Sequence, residues 1–183
     1  MIDSHVHLNR QEFDGDQQDI LARARKAGIT KFLNVGYDLL SSAESIALAE
    51  NHNDILATVG IHPHDAALLA DAEGNPLPET PAVLEQLREM ASHPQVVAIG
   101  EIGLDFFRDL SPRPAQYAAL EMQLNIASEL NLPVVFHIRD AWRETLSFVD
   151  DVGLPARKGI LHAFSGDETS VLWARKNGFL LGI

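Results

Sequence analysis

The chain has 183 residues, 46% of them hydrophobic, which is enough for one sizeable core but leaves little room for a second, so a single domain over residues 1–183 is expected. With 14 Lys and Arg against 26 Asp and Glu the formal net charge is −12, which excludes a broad basic surface gripping long duplex through its phosphates, so any nucleic acid is held locally. Cysteine is absent, which excludes disulfides and thiolate ligands and leaves His, Asp and Glu to hold a metal; MIDSHVHLN has neither a basic n-region nor an apolar h-region and no run reaches the length of a membrane span, so a cytoplasmic protein without a membrane partner is expected.

Short β-branched runs alternate with amphipathic ones, the pattern of βα units feeding a parallel sheet. The first strand is read from Ile2 to His7, where Asp3, His5 and His7 recur at every second residue and share a face. His5 and His7 can therefore chelate one ion; the alternative is a merely polar strand end, but inward histidines at a barrel mouth need partners. A helix from Gln17 to Ala27, closed by Gly28, leads to a strand from Lys31 to Gly36, and Ser41 reads as the start signal of a helix reaching Asn51. The third strand, Ile55 to His62, runs into GIHPHD, which places His62 and His64 at the same rim with Pro63 stiffening the turn. Phosphate binding or leaving-group protonation by these two is set against loop packing. DAEGNPLPETP from Asp71 is a surface loop, followed by a helix from Pro81 to Ser92.

The fourth strand, Val96 to Ile102, lies within VVAIGEIGLDF and carries Glu101 at a depth where a carboxylate is costly without a cation or hydrogen-bond donors. Its two oxygens can each take one of two ions roughly 3.5–4 Å apart, so a bridging role is expected over a structural salt bridge. Asp105, beyond it, is read as a carboxylate that orients ligands or touches substrate, the alternative being a simple turn cap. A helix from Pro114 to Asn131 precedes the strand Pro133 to Ile138, where His137 closes an apolar run and Arg139 follows on the same face, able to clamp a phosphate or to pair with Asp140. A helix from Ala141 to Val152, a strand from Gly159 to Ala163 ending in His162, a helix from Glu168 to Asn177 closed by Gly178 and a strand from Phe179 to Ile183 complete the chain. His137 and His162, at equivalent depth in adjacent strands, read as a second pair of ligands. Ser165 before Gly166 is turn chemistry first, and His52 and His93 read as solvated residues at helix ends.

The expected architecture is an α/β fold, a TIM (β/α)8-type barrel truncated to about seven strands and six helices, since a complete barrel needs about 250 residues. Its open seam makes either self-association across the gap or lower stability with a tendency to aggregate expected. IDSHVHLN, GIHPHD, GEIGLDF, LPVVFHIRDA and LHAFSG, in this order and spacing, resemble the TatD-type deoxyribonucleases of the amidohydrolase-like metal hydrolases. The resemblance implies His5 and His7 on one metal, Glu101 bridging, His137 and His162 on the second, and His62, His64, Asp105 and Arg139 around the substrate phosphate. It also implies DNA hydrolysis, commonly from the 3′ end, with two divalent ions (Mg, Mn or Zn) and with DNA strand ends or short oligonucleotides as partners. The family pattern has a further aspartate, in a Thr-Asp-x-Pro context on the eighth strand, which this chain, ending LLGI, does not reach. Two alternatives are carried forward: a related hydrolase of lactones, amides or phosphotriesters, and a catalytically silent metal-binding protein.

Overall fold

The computed structural model describes residues 1–13 and 15–183. Among these residues seven strands, β1 (Ile2–Val6), β2 (Lys31–Val35), β3 (Ile55–Val59), β4 (Val96–Asp105), β5 (Val134–Arg139), β6 (Gly159–Leu161) and β7 (Leu180–Leu181), form one sheet in chain order. Every neighbouring pair is parallel. The connections carry α1 (Gln17–Lys26), α2 (Leu39–Asn51), α3 (Thr80–Ala91), α4 (Arg113–Glu129), α5 (Trp142–Val152) and α6 (Glu168–Asn177). This is the α/β architecture of the TIM-barrel type, in which strand C-termini converge on one rim. Strands β1 and β7 each have one neighbour in the sheet, with Ile2 and Leu180 exposed; these are the two edges of the seam expected from the sequence.

Burial explains the strand compositions. β4 is buried along nearly its whole length, so it reads as a continuous apolar run with only Glu101 and Asp105 interrupting it. One large cluster joins Leu21, Phe32, Ile55, Leu87, Ile102, Leu120, Phe136 and Phe179 across helices and sheet. A smaller one, Ile61, Ala66, Leu69 and Ala119, lies beneath the 3-10 turn Pro63–Leu68.

The element boundaries differ from the expected ones where caps and loops decide them. Asp38, not Ser41, caps α2: its side chain accepts from the Ser41 N–H at 2.7 Å, and the Ser41 hydroxyl accepts from the Asp38 N–H. β3 stops at Val59 because His62 already caps the 3-10 turn, with Pro63 in its first turn. β4 runs three residues past the expected Ile102, because Gly103, Leu104 and Asp105 pair with His137, Ile138 and Arg139 of β5. Gly103 permits that approach, since a Cβ there would collide with the His137 carbonyl. The last strands are shorter than expected, and the Asp71 segment is a surface turn tied by an Ala70–Pro76 bridge. Among the described residues no helix is long and apolar enough to cross a membrane.

Candidate metal centre

Six of the strand-end histidines converge on one cavity of about 520 Å³ around Glu101. On one side stand His5 and His7. The His7 Nδ1 bonds the Val35 carbonyl at 2.8 Å, which turns its Nε2 inward to meet the His5 Nε2 at 3.1 Å. His162, from the end of β6, stacks on His5 with ring centroids 3.3 Å apart. On the other side, His62 packs edge-on against both His64 and His137.

Glu101 lies between the two groups and is 4% exposed. Its Oε2 faces His5 at 3.3 Å and His7 at 3.7 Å, while its Oε1 meets the His137 Nδ1 at 2.8 Å and faces His62 at 3.9 Å. Burial opposes charge on this carboxyl, but the hydrogen bonds from His137 and His5 outweigh it and hold it well below the ordinary range. Its backbone is fixed as well, the Glu101 N–H donating to the Gly36 carbonyl at 2.8 Å.

Asp105 organises the second group. Its Oδ2 meets the His64 Nε2 at 2.8 Å and the His137 Nε2 at 3.0 Å, and its Oδ1 accepts from the N–H groups of Phe107 and Arg108. Burial works against its charge, yet the Arg108 N–H and the His137 and His64 rings hold it at about 2. Asp105 thus caps the turn and also bonds two of the clustered histidines. Burial lowers the His62 imidazole to about 3 and the His162 imidazole to about 4, the latter helped by His5; His7 is also lowered, by burial and then by His5. His137 moves the other way, because its bond to Glu101 outweighs burial.

The donor set suits a divalent cation. Two groups offer ligand atoms lying within 4.8 Å of one another: His5, Glu101 and His162, and His62, His64 and His137. These groups cut across the sets implied by the resemblance, since His162 sits with His5 and His137 sits with His62 and His64. The buried Nδ1 of His5 has no hydrogen-bond partner among the described residues, and its Nε2 abuts another ring nitrogen. Clustered imidazoles around a carboxylate, one with an orphaned nitrogen, gain from an ion that takes nitrogen and oxygen ligands.

Two glutamines unmarked in the sequence hold these loops. Gln116 and Gln123, seven residues apart on one face of α4, are both buried. Gln116 accepts from the Asp105 N–H at 2.9 Å and donates to the Asp105 carbonyl, while Gln123 accepts from the Ile61 N–H at 2.7 Å and donates to the Ile61 carbonyl. The Ser111 hydroxyl donates to the His64 carbonyl at 2.7 Å. The seven-residue spacing of two amides on a helix opening with Arg-Pro was the available signal.

Outside the histidine cluster, Arg139 lies at the rim with its guanidinium 3.9 Å from the Phe107 ring centroid, not among the residues lining the cavity. Ser165 is exposed and accepts from the Trp142 indole at 3.4 Å. Asp3 accepts from the His5 N–H. His52 caps α2, and His93 pairs with Glu50 at the surface. Arg10, Tyr37 and Asp65 also line the cavity; Asp65 closes GIHPHD without being singled out there, and Arg10 and Tyr37 lie outside every motif.

Comparison with known proteins places this geometry in a family. A family model described as TatD related DNase matches residues 2–183. A 3′-5′ ssDNA/RNA exonuclease TatD of Cronobacter sakazakii is 37% identical over 100% of this chain and 66% of its own length. An uncharacterized metal-dependent hydrolase, YabD, of Bacillus subtilis is 31% identical over 99% of this chain and 67% of its own. The crystal structure of YjjV, a TatD homolog from Escherichia coli, superposes with a TM-score of 0.86 at 31% identity, covering all of this chain and 67% of that one. The chain spans about two thirds of the length of the curated relatives it matches. With the strand-end histidines, the buried glutamate and the parallel sheet all in view, the chain belongs to the TatD-related DNase family.

Proposed function

We propose that this chain carries the metal centre of a nuclease that hydrolyses phosphodiester bonds of single-stranded nucleic acid from a strand end. The observation that supports it most is the division of Glu101, one oxygen turned to His5 and His7 and the other to His137 and His62, which suits a carboxylate shared by two ions. On this reading His5, His7 and His162 would hold one ion with Glu101, and His137 would hold the other. Bound divalent ions would supply Lewis acidity toward the phosphate and lower the pKa of an attacking water.

The remaining residues act on the substrate directly. His62, kept neutral by burial, has one nitrogen engaged with the His64 N–H and offers the other to the cavity, where it can donate to charge developing on phosphate. Asp105 fixes the rings of His64 and His137, so that His64 would meet the substrate and His137 its ion in a set orientation. Arg139, at the rim, is placed to hold a phosphate further along the strand. The acidic surface suits a short grip on a few nucleotides, and the relatives named as ssDNA/RNA exonucleases favour a phosphodiester over a lactone, amide or phosphotriester.

The test is cleavage of an end-labelled single-stranded oligonucleotide with added Mn²⁺ or Mg²⁺. Chelation should abolish it, and His62→Ala should lower the rate by about 10²-fold with metal content retained. Cleavage that persists under chelation, or a His62→Ala variant as fast as the parent, contradicts the proposal.

A further inference from the structure

A second groove, of about 640 Å³, adjoins the histidine cavity, and the two share Arg10 and Tyr37 in their linings. Tyr37 is anchored by the site itself: its carbonyl accepts from the His62 N–H at 2.8 Å and its own N–H donates to the Ser41 hydroxyl at 2.9 Å. Its ring stands edge-on to His7, centroids 5.4 Å apart, with the Arg10 guanidinium 5.8 Å from its centre. The loop bearing Arg10 is equally fixed, because Asn9 donates to the Ser41 carbonyl and to Glu44 and accepts from the buried Asn34. Arg10 is the one Lys or Arg lining the histidine cavity among the described residues.

The chemistry changes along this path. Around Glu101 the lining offers metal ligands. At Arg10 it offers one permanent cation, and beyond it an aromatic ring, the exposed Leu40 and the carboxylates of Glu12 and Glu44. A second phosphate is repelled by those two acids, whereas a base is accepted: apolar Leu40 and Tyr37 take its face, and the carboxylates take exocyclic amines at its edge. We propose that Arg10 and Tyr37 form a nucleotide subsite next to the reacting phosphate, Arg10 holding one further phosphate and the groove one unpaired base. This rests on the nuclease reading above and gives its preference for a single strand a place in the fold, since a paired base cannot present its face and its edge to the groove together.

The experiment is equilibrium binding of a fluorescein-labelled single-stranded tetranucleotide with uncleavable phosphorothioate linkages, an abasic residue being moved through it one position at a time, with cleavage of the natural tetranucleotide run in parallel. For the parent, one abasic position should weaken binding roughly tenfold, the size of one lost base stack. Tyr37→Ala should weaken binding of the intact strand by a similar factor and lose the penalty at that position, while Tyr37→Phe should keep it. Arg10→Ala should reduce the slope of log K against log salt by about 0.7, the loss of one phosphate contact on a single strand. A parent indifferent to every abasic position, a Tyr37→Ala variant that keeps the parent's penalty, or an unchanged salt slope in Arg10→Ala overturns the subsite alone when the natural strand is cleaved. Absence of cleavage by the parent overturns the nuclease reading and the subsite with it.

Discussion

On the His5 and His162 side of Glu101, ring nitrogens and ring faces meet one another and the carboxylate stands off at 3.3 Å from His5 and 3.7 Å from His7; on the other side His64 and His137 bond carboxylates at 2.8 to 3.0 Å. His5 has an orphaned Nδ1, an Nε2 against His7 and a ring stacked on His162. His64 and His137 each bond Asp105, and His137 bonds Glu101 as well. Residues of one type thus serve two purposes. The second group is held in orientation by its own bonds to carboxylates, whereas the first keeps a ring nitrogen without a partner, bonding capacity that a cation would satisfy.

The largest effect that tests this contrast is on the stability of the metal-free chain. Asp105→Ala removes the acceptor of two backbone N–H groups and two histidines at a fully buried position, and should lower the unfolding free energy by about 3 kcal/mol. His5→Phe keeps the ring volume beside His162 and removes an unpartnered Nδ1, losing the 3.3 Å contact of Nε2 with Glu101, so it should cost about 1 kcal/mol. Urea denaturation with a chelator present reads both, and equal costs would erase the distinction between the groups.

A smaller effect is the pH dependence of the metal-free form. His62 and His162 titrate at about 3 and about 4 when folded, below the ordinary 6.5, so the folded state disfavours their protonated forms. Their contribution is complete above about pH 6.5 and is lost as pH falls toward 4 and then 3. His137, raised, works in the opposite sense: its contribution is complete below 6.5 and is lost as pH rises through its folded value. The melting temperature should therefore drop on acidification from pH 6.5 to 4, and less steeply in His62→Phe. A parallel acid profile for His62→Phe would show that the buried ring does not carry the effect.

The sequence revealed the parts of this centre whose polarity interrupts an apolar strand. Glu101, His137 and His162 each break or close such a run, His5 is marked by its alternation with Asp3 and His7, and parallel strands with right-handed crossovers must bring their C-terminal ends to one rim. Grouping was not legible, because which histidine neighbours which depends on sheet curvature that no spacing encodes: His162 reaches His5 from the opposite end of the strand order. Gln116 and Gln123 escaped notice because a buried amide on an amphipathic helix has the same pattern as a solvent-facing one. Arg10 and Tyr37 sit in loops, where no periodicity marks a side chain that lines a cavity. The α2 boundary was misplaced because Asp38 and Ser41 are both cap formers, and only the reciprocal hydrogen bonds decide between them.

The central claim is that Glu101 serves two cations at once. Titration of the metal-free chain with Mn²⁺, read by bound stoichiometry and by the electron paramagnetic resonance spectrum, tests it most directly. The account predicts two ions per parent chain with spin-coupled signals, and for Glu101→Gln a loss of the coupling together with at least one ion at equal free metal. A parent that binds a single ion, or a Glu101→Gln variant with the same stoichiometry and the same coupled spectrum, would contradict it.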